Sequence, residues 1–120
     1  HMGWPWSKKT EAPRAEIRTD PDRYAGKPLL RLLELYVIWA LGKLSEEDTE
    51  RLQRMAPKLT ETFGGDGTWQ SALATTMQMP ANMPELIRGM WAKNQEIASA
   101  NQVELRPQHF AEMFVDSNLV

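Results

Sequence analysis

The chain of 120 residues contains no cysteine, which removes disulfide frameworks, thiolate zinc sites, iron–sulfur clusters and cysteine nucleophiles together. Histidine is nearly absent as well. There are two, and His1, standing before Met2, reads as the remnant of an expression tag. That leaves His109 as the one imidazole for catalysis or metal binding. It has no second histidine at ligand spacing, no H-E-x-x-H, no Glu-x-x-His repeat and no nucleophile elbow around it. No catalytic residue, metal or cofactor is therefore assigned. In the first turn of a helix, His109 faces the positive helix end, which disfavours imidazolium.

Long apolar runs are missing too. The longest, from Leu35 to Leu41, falls far short of the roughly 20 residues that a membrane span needs. With no signal-peptide h-region near the N-terminus, the sequence reads as a cytoplasmic protein. Basic residues thin out along the chain: up to Arg31 there are seven Lys/Arg against four Asp/Glu, and from Leu32 onward seven against twelve. An acidic body favours basic partners over phosphate backbones. A helix-turn-helix reading of residues 52–79 fails on the same ground, because residues 69–79 carry no Arg, Lys or Asn to reach a base edge or a phosphate. Nucleic acid is thus not the expected partner.

The turn Gly64-Gly65-Asp66-Gly67 lacks the Gly-Lys-Ser/Thr ending of a phosphate-binding loop and follows no strand, so it reads as a helix connector. No twelve-residue stretch supplies the alternating oxygens and terminal glutamate of a calcium loop. The acidic group Glu46, Glu47, Asp48 and Glu50 complements the positive end of a helix and needs no metal to explain it.

What the sequence does contain is helical periodicity. Residues 1–27 mix prolines, charges and a Thr-Asp-Pro-Asp turn without a sustained apolar period, and read as an irregular, partly mobile arm, least ordered through Asp20. Residues 28–120 read as a single α-helical domain. Pro28 opens a helix apolar on most of its circumference and extending to about residue 44, with Leu33, Val37 and Leu41 inward and Arg31 and Lys43 in water. Ser45 caps a second helix with Leu52, Met55, Ala56, Leu59 and Phe63 on one face, supported by Glu47–Arg51 and Glu50–Arg54 pairs and kinked or divided at Pro57. Thr68 caps a third that presents Trp69, Ala72, Leu73, Thr76 and Met77 and ends at Pro80. Asn82 and Glu85 have the spacing of a capping box for a fourth, with Leu86, Ile87, Met90, Trp91, Ile97 and Ala98 in period to about Asn101. Pro107 opens a fifth, with Phe110, Met113 and Phe114 buried. The expected fold is all-α: a compact bundle of about five helices.

Two features remain as carriers of function. One is the surplus of methionine and tryptophan, side chains that suit both ordinary cores and adaptable binding grooves. Most of these residues lie at core-facing helical spacing; the exception is the connector of residues 79–84, where Met79, Pro80, Met83 and Pro84 form the candidate partner-binding site, with sealing of the bundle's end as the alternative role. The other is the N-terminus, where Met2-Gly3 and Ser7 fit a loose acylation pattern and Trp4 and Trp6 adjoin Lys8 and Lys9. The reading that follows is a non-enzymatic protein-interaction module, binding a partner protein or itself through an apolar surface. Two alternatives stand beside it: a small-ligand binder or enzyme whose site assembles only in three dimensions, with Asn94 and His109 as its polar candidates, and a peripheral membrane module using the Trp/Lys arm.

Overall fold

Proline at position 28 presets the first turn of α1 (Pro28–Ala40), and in the computed structural model, which describes residues 22–118, this helix forms the centre. Four others follow: α2 (Glu46–Phe63), α3 (Trp69–Met77), α4 (Met83–Ala100) and α5 (Pro107–Ser117). The protein is an all-α bundle of five helices, with no strand among the described residues. No helix there is long and apolar enough to cross a membrane. Every residue from Leu32 to Ile38 is buried, as an all-round apolar sequence requires, and α1 accordingly packs against α5, α4 and α3. Leu33 and Val37 are enclosed while Arg31 and Lys43 are exposed.

The helix ends at Ala40 rather than near residue 44. Gly42 takes a positive φ of 73°, the Gly42 amide donates to the Trp39 carbonyl and the Lys43 amide to that of Ile38. This Schellman closure satisfies the last carbonyls and turns the chain out. From α4, Arg88 donates to the Ala40 carbonyl at 3.2 Å, placing a cation at the negative end of α1.

Helices α2 and α3 form a tight hairpin. The Ser45 hydroxyl accepts from the Asp48 amide and the Thr68 hydroxyl from that of Ser71, so both expected caps are in place. Pro57 does not divide α2, which runs unbroken. Pro57 and Gln53, whose carbonyl loses its helical donor, are both exposed, so water can take the missing bond. Arg51 pairs with Asp48 rather than with Glu47. In the connector, a Cβ on Gly65 would lie 2.8 Å from Ser71 Oγ and 2.9 Å from the Ala72 amide nitrogen, so only glycine lets the two helices close this tightly. The Asp66 carboxylate accepts from the Thr68 amide and hydroxyl, which lowers its pKa and fixes the turn as a connector. Trp69 then ties the hairpin to α1, with ring centroids 6.2 Å from Tyr36 and 6.0 Å from Trp39.

The capping box expected at Asn82 is not formed. Asn82 has φ −96° and ψ 23° and makes no side-chain cap bond, whereas a capping residue is normally extended; Pro84, one of the positions it would serve, has no amide hydrogen. On α5, Phe110 and Phe114 are buried as expected, Met113 is only half-buried, and Ala111, Glu112 and Val115 lie inside as well. The last part of the expected arm, residues 22–27, is a turn fastened to α5. Tyr24 is buried, its hydroxyl donating to Asp116 Oδ1 at 3.0 Å with the Glu112 carbonyl within reach of the same hydrogen at 3.3 Å, and Arg23 pairs with Asp116. Burial first, then the Asp116 bond, raises the Tyr24 pKa and keeps the hydroxyl a neutral donor. The segment expected to be least ordered, with Trp4 and Trp6, lies outside the described residues.

Leu33 is buried whereas Leu41 is half-buried. Leu33→Ala should cost about 2–5 kcal/mol in urea unfolding, and Leu41→Ala distinctly less. Equal losses at the two positions would contradict this placement of the core.

Candidate functional site

The large exposed hydrophobic side chains among the described residues are not scattered: of five, three lie on α4, where Leu86 is 45%, Met90 42% and Ile97 38% exposed. The helix is amphipathic in an unusual way. One face, Ile87, Trp91, Asn94 and Ala98, is buried or half-buried against the bundle, and Trp91 stacks edge-on to Phe110 with centroids 5.3 Å apart. Roughly 100° around the helix, Leu86, Met90, Lys93, Ile97 and Ala100 are all exposed. Their spacing alternates four and three, which keeps them in one stripe along the axis, the arrangement of a helix–helix seam. Met83 extends the same series by one step at the helix start. Within the bundle α4 rests on α1, and its stripe is left to solvent.

A second apolar feature lies between α1 and α2, where the hairpin diverges from the central helix. The cleft holds about 290 Å³ and is lined by Leu29, Leu32 and Leu35 from α1 and Leu52, Met55, Leu59 and Phe63 from α2. Arg31 and Arg51 complete the lining, but each guanidinium already faces a carboxylate, Glu34 and Asp48 respectively. The cleft is therefore greasy at its floor and charge-balanced at its edge.

Of the connector residues singled out from the sequence, Met79 and Met83 are half-buried and packed against the core, Pro84 is half-buried and Pro80 exposed. The three tryptophans beyond the N-terminal segment serve packing: Trp69 is buried, and Trp39 and Trp91 are half-buried against the core. Asn94 is half-buried and donates its amide to the Met90 carbonyl, 2.7 Å away in its own helix. Neither Asn94 nor His109 lines the cleft. His109 is half-buried, and its Nδ1 finds no hydrogen-bond partner among the described residues. Burial lowers its pKa, and the positive charge of Arg23 adds to the effect.

Sequence reasoning missed two buried acids. Glu34 and Glu112 are each 2% exposed, and Gln108 bridges them, donating its side-chain amide to Glu34 Oε2 and, at 3.4 Å, to Glu112 Oε2. Arg31 completes the Glu34 environment. The signal for Glu34 was available: its neighbours three and four residues away include Leu30, Val37 and Ile38, and Arg31 stands one turn before it. An acid so placed must be buried with a partner. Among the described residues no three His, Asp or Glu side chains gather as metal ligands, and the bridged pair acts as an internal tie between α1 and α5. No protein family, curated protein or solved structure matches the chain.

Two outcomes are expected. Because the folded-state pKa of His109 lies below its ordinary 6.5, the unfolded chain binds the proton first as pH falls. Stability should be lost progressively from about pH 6.5 downward, and the loss should be smaller in His109→Gln when the two are compared by thermal melts across pH 7.5 to 5. The double substitution Met79→Ser with Met83→Ser should lower stability by about 1–3 kcal/mol, since both side chains leave the end of the core; an unchanged melting temperature would place them outside it.

Proposed function

We propose that the protein is a non-enzymatic interaction module that engages another helix through the exposed stripe of α4, with Met83 at the edge of the 79–84 connector as its first member. The observation that carries this reading is the conjunction on one helix of a face already used by the bundle and a separate apolar stripe at seam spacing, with three of its side chains about two-fifths exposed. Apolar exposure organised in a line costs solubility without stabilising the monomer, and the usual return is association. The polar groups point the same way. Among the described residues, Asn94, Glu34 and Gln108 are occupied by internal partners, which supports a role for the apolar surface over one for these polar groups.

The α1–α2 cleft supports a second reading, a binder of small apolar ligands. Its volume lies at the lower end of ordinary ligand sites, and its lining would hold an aliphatic or aromatic body without demanding a polar head. A rise in melting temperature with short aliphatic or aromatic probes, absent in Leu52→Gln, would favour it.

The triple substitution of Leu86, Met90 and Ile97 by Gln tests the preferred reading. It removes the stripe while touching no fully buried side chain, so stability should change by less than about 1 kcal/mol. Proteins captured from the source cells by the wild-type chain, further copies of itself included, should be lost by the variant. Identical capture by the two chains would sink the interaction reading.

A further inference from the structure

The stripe on α4 is self-complementary, and we infer that its partner is a second copy of the same helix, running antiparallel. The inference rests on the interaction reading above and narrows it. An antiparallel two-fold pairing centred between Trp91 and Ala92 sets Leu86 opposite Ile97 of the other copy and Met90 opposite its Lys93. The two ends close with Met83 facing Ala100. Each layer then joins positions of opposite type in the four-three repeat, which is how antiparallel helix pairs interlock, and a C2 axis makes every contact occur twice.

Lys93 is the one charge in the stripe, and the same register supplies its counter-ion. In that arrangement Lys93 of one copy and Glu96 of the other stand roughly 9 Å apart along the axis. Helical side chains lean toward their own N-terminus, so on antiparallel helices these two lean toward each other. Neither Lys93 nor Glu96 is engaged in an ion pair within its own described chain, and both are exposed. Between them sits Gly89, which is exposed and whose missing Cβ would have met nothing within 4 Å; it leaves a gap on that flank for the lysine stem to cross. A parallel pairing would set Lys93 directly against Lys93 in one layer, whereas here the two lysines fall in adjacent layers, roughly 4.5 Å apart along the axis, each with a Glu96 of the other copy on its flank.

The contact is one helix of 18 residues per copy, smaller than a standard interface, so a weak dimer that forms only at high concentration is expected. Sedimentation equilibrium of the full chain from 10 µM to 1 mM should show a monomer–dimer equilibrium. Lys93→Glu or Glu96→Lys alone should weaken it roughly tenfold, and the double exchange should restore it, a rescue that a general loss of folding would not give. Register is read with the chain's lack of native cysteine: Leu86→Cys mixed with Ile97→Cys should form a disulfide-linked dimer under mild oxidation much faster than either variant alone. A monomer at every concentration, failure of the double exchange to restore pairing, or Leu86→Cys alone linking as fast as the mixture would each overturn antiparallel self-pairing. The wider reading fails separately, when the triple Gln variant captures the same partners as the wild type.

Discussion

Burying a helix on all sides while it carries a carboxylate is the constraint around which this protein is arranged. From Leu32 to Ile38 every residue of α1 is buried, so other elements must cover every face, and one of those faces holds Glu34. Each large aliphatic side chain removed from water contributes about 1.5–3 kcal/mol, whereas a buried carboxylate without donors would cost several. Arg31 from the same helix and Gln108 from α5 supply those donors. The position of α5 is therefore set twice, by Phe110, Phe114 and Val115 filling the core and by a polar tie that works in only one alignment. The turn at Tyr24 repeats the logic on the outer side of α5, with a phenol buried for its ring and satisfied at its oxygen.

The remaining cover is less complete. The α2–α3 hairpin is held internally by caps and a close glycine turn, and it meets α1 chiefly through the aromatic group of Tyr36, Trp39 and Trp69. Away from that contact the two layers part and leave the apolar cleft. Helix α4 covers another side with Ile87, Trp91 and Ala98 and anchors itself by Arg88 on the end of α1. These two regions are where apolar groups lack full cover, for different reasons. The cleft is a wedge between packed layers; the α4 stripe is a face for which the described residues hold no further helix.

Helix beginnings were legible because their chemistry is local. Ser45 and Thr68 cap as any serine or threonine with a free amide three residues on would, and Pro28 and Pro107 preset the first turn. Helix ends were less so. The chain leaves α3 and α4 through Gln78 and Gln102, both at positive φ, a conformation that glycine would have announced and glutamine conceals. Asn82 misled in the opposite direction, since its spacing to Glu85 suits a capping box but Pro84 between them removes a donor. The pairing of Glu34 with Gln108 required knowing that α1 and α5 are neighbours, which no local pattern supplies. For the site, period alone grouped Leu86, Met90 and Ile97 with Ile87, Trp91 and Ala98 as one apolar set.

That grouping concealed the distinction on which the proposed function turns. A helix turns through 100° per residue, so Leu86 and Ile87 are adjacent in sequence yet belong to different faces, and a broad apolar arc can conceal two narrow ones. The bundle uses the arc centred on Ile87 and Ala98; the other, through Leu86, Met90 and Ile97, has the narrow four-three spacing of a helix seam rather than the wide stripe of a helix lying on a core. Its central lysine gives a reason why the chain need not aggregate through so much exposed carbon. A charge in the middle of the seam penalises any partner that cannot place an acid beside it, so under the proposed pairing the same residue that weakens association in general makes it selective.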